Sequence, residues 1–116
     1  MNPRIRLACC LLAAALIATL FVSAPSTGGL ILPPWDKLAH LVFYGALAVL
    51  LTVALGPKRW VASLLAVCLI GIADEAYQSL LPGRHADWGD LAADFVAAAA
   101  GAWITRWYLM RGRPPG

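Results

Sequence analysis

Carboxylates placed near a histidine and two basic residues are the feature of this sequence most capable of chemistry. The six acids are Asp36, Asp74, Glu75, Asp87, Asp90 and Asp94, and the partners are His40, Lys37 and Arg84. Histidine and carboxylate side chains serve as general bases and as metal ligands, whereas lysine and arginine bind phosphate. The residue types therefore indicate a site for a phosphate group, a divalent cation, or both.

The composition indicates that these charged residues belong to a membrane protein. Of 116 residues, 61% are hydrophobic and 13% are charged, whereas a soluble domain carries about a quarter charged residues. The apolar residues also form long blocks that a soluble fold of this size could not cover. The length suits a single domain over residues 1–116, with the lipid bilayer as its solvent and no nucleic-acid partner.

Four apolar blocks come close to the ~20 residues that a helix needs to cross the bilayer core. They predict an all-α, four-transmembrane-helix bundle with helices at about 7–24, 38–55, 60–81 and 91–110, separated by proline and glycine turns. The first block also resembles a cleaved signal peptide ending at Val22-Ser23-Ala24. The uncleaved helix is the favoured interpretation, because Pro25 directly follows that candidate cleavage site.

The basic residues predict the orientation of the bundle, since positive residues near helix ends stay in the cytoplasm. With the N-terminus inside, seven of the nine basic residues lie on the cytoplasmic side: Arg4, Arg6, Lys58, Arg59, Arg106, Arg111 and Arg113. Both termini are therefore predicted to be cytoplasmic. All six acids then fall in the outer half of the membrane.

Helical spacing places polar residues of three helices at a similar depth. Shared faces are formed by Asp36, His40 and Tyr44, by Asp74 and Gln78, and by Asp87, Asp90 and Asp94. An aspartate at the bilayer centre costs about 2.5–3.5 kcal/mol, so Asp74, Glu75 and Asp94 are expected to face one another inside the bundle. Their charge is then relieved by protonation, by a bound divalent cation or by a water-filled cleft.

The order and spacing of these residues resemble the VanZ-like family, named for a protein linked to teicoplanin resistance. The matching elements are Asp36-Lys37-x-x-His40 with Tyr44, Asp74-Glu75-x-x-Gln78, and Pro82-Gly83-Arg84-x-x-Asp87-x-x-Asp90-x-x-x-Asp94 with Gly101. Tyr77 stands where relatives often have histidine, so it is not expected to be a ligand. The resemblance implies a multi-pass protein of the bacterial inner membrane. Some relatives lower susceptibility to glycopeptide antibiotics, but the resemblance implies no particular reaction.

The leading functional hypothesis is binding or processing of a lipid-phosphate headgroup, such as that of a cell-wall lipid intermediate, at the outer leaflet. The candidate binding residues are Asp36, Lys37, His40, Tyr44, Asp74, Glu75, Gln78, Arg84, Asp87, Asp90 and Asp94. Within this set, Lys37 and Arg84 would bind phosphate. A divalent cation held by Glu75, Asp90 and Asp94 would bridge to it. The candidate catalytic residues are Glu75 and His40, either of which could act as general base.

Two other functions remain open from the sequence. The polar groups could join the helices of a non-enzymatic scaffold or partner subunit, although interhelical polar contacts contribute only about 0.6 kcal/mol on average. A small proton- or ion-coupled transporter is the third hypothesis, and the inner half offers it only Thr52, Ser63 and Thr105. The small residues from Ala97 to Gly101 also invite self-association into a homo-oligomer.

Overall fold

Four helices make up the described part of the chain. A computed structural model describes residues 2–27, 35–81 and 88–111, with side chains for 2–22, 38–81 and 88–111. The elements are α1 (Pro3–Thr27), α2 (Trp35–Leu55), a 3₁₀ turn (Pro57–Arg59), α3 (Trp60–Ser79) and α4 (Trp88–Met110). The predicted all-helical class is confirmed, and the described residues contain no β-strand.

The helix bounds differ from the predicted apolar blocks by a few residues. Helices α1, α2 and α4 each begin three or four residues earlier than predicted, because helical hydrogen bonding continues through charged and aromatic residues that a count of apolar residues leaves out. Helix α3 ends at Ser79, two residues early. There the Leu80 amide bonds the Tyr77 carbonyl at 3.1 Å, a tightened last turn that precedes Pro82.

Three of the helices contain segments long and apolar enough to cross a membrane. These segments are Pro3–Val22, Leu38–Leu55 and Pro57–Ser79. Large apolar side chains such as Leu11, Val42 and Leu69 point outward from them, which suits lipid rather than water. Helix α4 falls outside this group, because it carries two aspartates and an arginine among many alanines. Length and composition therefore support three of the four predicted crossings.

Helix α1 packs mainly on α2 and lies antiparallel to it. The Arg6 side chain donates hydrogen bonds to the backbone carbonyls of Ala54 at 2.9 Å and Leu55 at 3.3 Å. These carbonyls end α2 and have no partner within the helix. The start of α1 therefore lies beside the end of α2, and most of the α1 surface is left for lipid.

Helices α2 and α4 share the most extensive interface of the bundle and run parallel. A Cβ added at Gly101 would lie 2.7 Å from the Gly45 backbone oxygen and 3.2 Å from the Ala48 Cβ, so only glycine fits there. Ala98 and Ala102 of α4 are also fully buried in the core. The small-residue face that suggested self-association thus has an intramolecular explanation, and a homo-oligomer stays a prediction.

Basic and aromatic side chains collect at the end of the bundle where α2 and α4 finish and α3 begins. Gly56 has a φ of 96°, a backbone conformation suited to glycine, and Pro57 then opens the 3₁₀ turn. The Arg106 guanidinium lies 5.6 Å from the ring centre of Trp60 and 5.0 Å from that of Trp103. These cation–π contacts connect the start of α3 to the last turns of α4.

We expect Gly101→Ala to lower the thermal stability of the purified protein in detergent, because the new methyl group must push α2 and α4 apart. Overpacking of this kind costs about 1–3 kcal/mol. Gly45→Ala is the matched control, since its Cβ would meet only Ala97 atoms at 3.9 Å, an ordinary contact. Equal melting temperatures for the two variants would contradict the close approach of the helices.

Candidate functional site

Polar side chains of three helices converge at the end of the bundle opposite the basic residues. We call this set the polar cluster: His40 and Tyr44 of α2, Asp74, Glu75 and Gln78 of α3, and Asp90 and Asp94 of α4. His40 and Tyr44, and likewise Asp90 and Asp94, are four residues apart, and Gln78 follows Asp74 and Glu75 by four and three, spacings that place residues on one helical face. Asp74, Glu75, Asp90 and Asp94 are all buried, so these carboxylates face the bundle interior rather than lipid.

His40 connects α2 to both aspartates of α4. Its Nδ1 lies 2.8 Å from Oδ1 of Asp94, a hydrogen bond between a half-buried ring and a completely buried carboxylate. On the other side of the ring, Nε2 lies 3.7 Å from Oδ2 of Asp90, which is too long for a hydrogen bond. If Asp94 is ionised, its carboxylate can only accept, and Nδ1 is then the donor of this hydrogen bond.

Asp74 is held by two donors from different helices. The Tyr44 hydroxyl of α2 donates to its Oδ2 at 2.9 Å, and the Gln78 amide of α3 donates to its Oδ1 at 2.8 Å. The Tyr44 ring also stacks on the His40 ring at a centroid distance of 5.8 Å. Because both carboxyl oxygens of Asp74 have partners, this residue has the geometry of a satisfied structural group within the cluster.

Gly71 is a residue of the site that the sequence prediction missed. A Cβ at this position would lie 3.2 Å from Oδ2 and 3.5 Å from Cβ of Asp94, so the glycine leaves room for the aspartate against α3. Gly71 precedes Asp74 and Glu75 by three and four residues, the spacing of one helical face. That spacing was the available signal in the sequence.

Three side chains are close enough together to hold a metal ion. One ligand atom each of His40, Glu75 and Asp90 lies within 4.8 Å of the other two. The set differs by one member from the predicted trio of Glu75, Asp90 and Asp94. His40 takes the place of Asp94, because the Asp94 carboxylate is directed to Nδ1 of the imidazole and toward Gly71.

Four predicted site residues lie outside this description. Asp36 and Lys37 belong to the first turn of α2, but their side chains are not among those described. Arg84 and Asp87 fall between 82 and 87, outside the described residues. The phosphate-binding role of Lys37 and Arg84 therefore stays a prediction, as does the proximity of Arg84 to the polar cluster.

Among the described residues, the cluster is partly exposed, whereas the bundle beyond it is filled by buried side chains. The His40 and Asp90 side chains remain 17% and 12% exposed. Further along the same helices, Leu47 and Val67 are fully buried. Beyond them the Thr52 hydroxyl donates to Ser63 at 2.9 Å, and the Ser63 hydroxyl in turn donates to the Ala48 carbonyl at 3.3 Å. This arrangement suits a ligand that enters and leaves at one face.

A family model described as VanZ/LLP1 matches residues 7–110. The match takes in all four helices, whereas the elements that resemble VanZ-like proteins extend from Asp36 to Gly101. No curated protein and no solved structure is significantly similar to the chain.

We expect Tyr44→Phe to lower the thermal stability of the protein, because the buried Asp74 carboxyl loses one of its two donors. A hydrogen bond to a charged group contributes about 1.5–3 kcal/mol. Tyr108→Phe makes the same chemical change at an exposed position and should leave the melting temperature unchanged. Unfolding in nanodiscs measures both variants, and equal stability of Tyr44→Phe and wild type would refute the buried contact.

Proposed function

The chain belongs to the VanZ/LLP1 family, and from its polar cluster we propose that it binds the phosphate headgroup of a lipid at the outer leaflet of a bacterial inner membrane. Its role lies in the physiology of the cell envelope or in the response to glycopeptides. The ligand class is a lipid phosphate or pyrophosphate, of which cell-wall lipid intermediates are examples.

The observation that carries this proposal is the burial of four carboxylates at one end of membrane-type helices. A charged group inside the bilayer is costly, by about 2.5–3.5 kcal/mol at its centre, and such groups mark functional sites. Interhelical hydrogen bonds of the kind seen in the cluster, such as His40–Asp94 and Tyr44–Asp74, contribute about 0.6 kcal/mol each on average. Helix association alone is therefore a weak reason to retain these acids.

The depth of the cluster favours a headgroup over a transported ion. His40 lies two residues inside the Leu38–Leu55 segment, and Glu75 lies four residues before the end of Pro57–Ser79. At ~1.5 Å per residue both lie about 3–6 Å inside the ends of these apolar segments, a shallow depth that suits contact with a lipid phosphate. The Thr52–Ser63 pair in the inner half is internally satisfied and gives little support to a continuous proton path.

The proposed topology has four crossings with both termini in the cytoplasm. Helix α4 has 23 residues, long enough to cross at ~1.5 Å per residue, and it packs along α2. Arg6, Arg59 and Arg106 belong to the basic end of the bundle, which the positive-inside rule assigns to the cytoplasm. The polar cluster then faces the outer leaflet.

The phosphate donors of this proposal are Lys37 and Arg84. Lys37 is three residues before His40 and so shares its helical face. Arg84 belongs to the connection between the end of α3 and the start of α4, which are the ends that carry Glu75 and Asp90. Charge-assisted hydrogen bonds from such side chains are the strong contacts that hold phosphate groups.

A structural scaffold is the second candidate, favoured by one specific observation. The His40–Asp94 and Tyr44–Asp74 hydrogen bonds join α2 to α4 and α2 to α3, which is what a protein built to hold a partner subunit would need. In that case removing His40 lowers stability and changes no lipid affinity.

A reporter fused after Gly116 should read cytoplasmic in a bacterial host, because the basic end of the bundle then lies inside. A reporter fused after Thr27, at the opposite end of α1, should give the reverse reading and serves as the control. A periplasmic reading at Gly116 would move the cluster to the inner leaflet and overturn the outer-leaflet assignment.

The lipid proposal is tested by binding of a polyprenyl phosphate to the protein in nanodiscs, compared with the same polyprenol lacking phosphate. We expect Arg84→Gln to raise the Kd about tenfold or more, since a charge-assisted contact contributes about 1.5–3 kcal/mol. His40→Gln should raise the Kd as well, because it disrupts the polar cluster against which the headgroup is proposed to bind. Arg59→Gln removes a charge at the opposite end and should bind as wild type does.

Two outcomes of that experiment would overturn lipid-phosphate binding. The first is equal affinity of the wild type for the phosphorylated and unphosphorylated lipids. The second is unchanged lipid affinity in His40→Gln together with a melting temperature several degrees lower, which is the result expected of a scaffold.

A further inference from the structure

We propose that His40, Glu75 and Asp90 form a binding site for a first-row transition-metal ion such as Zn²⁺, and that Asp94 is the residue that positions His40 for it. Metal binding itself does not depend on the proposed lipid function. The idea that the bound metal contacts a lipid phosphate does rest on that function.

The distances between the three side chains suit an ion between them. Their ligand atoms lie within 4.8 Å of one another, and His40 Nε2 is 3.7 Å from Asp90 Oδ2. Two ligand atoms that share a tetrahedral zinc ion at ~2.1 Å are roughly 3.4 Å apart. The observed 3.7 Å is therefore too long for a direct hydrogen bond and close to the separation that a shared ion requires.

The burial of the three ligands suits a metal centre with one open side. Glu75 and Asp90 are buried, while His40 is half-buried. The ligands come from three different helices, so the backbone fixes their relative positions. Three protein ligands with a remaining open position are the arrangement of catalytic and substrate-binding zinc sites rather than of closed structural ones.

The contact between Asp94 and His40 supplies a second and independent argument. Metal-bound histidines almost always donate their other ring N–H to a carboxylate or carbonyl, which fixes the tautomer and the ring orientation. Here Nδ1 lies 2.8 Å from Asp94 Oδ1; in the neutral imidazole that donates through Nδ1, the lone pair of Nε2 is on the side of Asp90. The imidazole is thus oriented as a metal-bound histidine would be.

The burial of the Asp94 carboxylate is a further argument for a positive charge nearby. Its side chain is completely buried, and its Oδ2 has no hydrogen-bond partner among the residues that the structure describes. A buried carboxylate is costly without compensation. A cation bound to the far side of the imidazole would strengthen the His40–Asp94 hydrogen bond and offset this charge.

The ligand types indicate the class of metal. Ca²⁺ takes six to eight oxygen ligands, and Mg²⁺ keeps most of its waters. An imidazole combined with two carboxylates suits Zn²⁺ or a neighbouring first-row ion instead. The open coordination position would accept a phosphate oxygen, which explains how a cluster rich in carboxylates can hold an anionic headgroup.

The first test is titration of the metal-stripped protein in detergent with Zn²⁺ alone, without lipid. We expect one ion per chain and weaker binding of Mg²⁺. Glu75→Gln should lower the Zn²⁺ affinity at least tenfold. Arg59→Gln, which removes an exposed charge at the opposite end of the bundle, should retain wild-type affinity.

The positioning role of Asp94 is tested by Asp94→Asn, which keeps an acceptor oxygen and removes the charge. Loss of such an outer partner typically lowers metal affinity about 10–100-fold. The visible spectrum of bound Co²⁺ should shift in this variant while one ion per chain is retained at saturation, a change that a purely structural role would not produce. An unchanged metal affinity and an unchanged Co²⁺ spectrum would show that Asp94 does not position His40 for the metal.

Other results overturn the metal site as a whole. These are the absence of stoichiometric Zn²⁺ binding by the wild type, wild-type affinity in Glu75→Gln, or an equal loss of affinity in Arg59→Gln. The Zn²⁺ titration of the wild type gives its result whether or not the variants fold. Lipid binding that persists without any metal would refute only the idea that the bound metal contacts the lipid phosphate, whereas Zn²⁺ binding without lipid binding would refute the lipid function alone.

Discussion

The close approach of α2 and α4 at Gly45 and Gly101 is the constraint on which the rest of the structure depends. With the two backbones this near, His40 of α2 can reach Asp94 of α4 within hydrogen-bond distance. A wider separation would leave the buried Asp94 carboxylate without the His40 hydrogen bond, which is costly for a charged group inside a protein. The alanine- and glycine-rich sequence of α4 is therefore a condition for the chemistry of the polar cluster.

The two completely buried aspartates show how the same residue type takes different roles. Asp74 accepts from Tyr44 and Gln78, so both of its oxygens are satisfied within the protein. Asp94 accepts from His40 through one oxygen and lies against Gly71 with the other. The hydrogen bonds of Asp74 are thus complete within the protein. Asp94 instead holds the His40 imidazole, whose other nitrogen, Nε2, faces the Asp90 carboxylate.

Much of the fold was predictable from the sequence, because long apolar blocks and their proline and glycine breaks specify membrane helices almost directly. The burial of the acids also followed from the energy of charges in lipid. Which side chains pair across the helices could not be predicted, because a helix of 3.6 residues per turn has several faces and packing sets its rotation about its own axis. Hence His40 was placed in the cluster but not opposite Asp94, and the space provided by Gly71 was missed. All four crossings were predicted, but the length and composition of the described helices support three of them, and the crossing by α4 stays a prediction.

The composition of α4 has a consequence for how the protein is made. In the proposed topology this helix carries Asp90, Asp94 and Arg106, and it is synthesised after the other three. A segment with these charges enters lipid poorly on its own, whereas α2 already offers His40 and a closely fitting small-residue surface. In that topology, membrane integration of α4 is expected to depend on the helices that precede it. The polar cluster would then be complete only after α4 has packed against them.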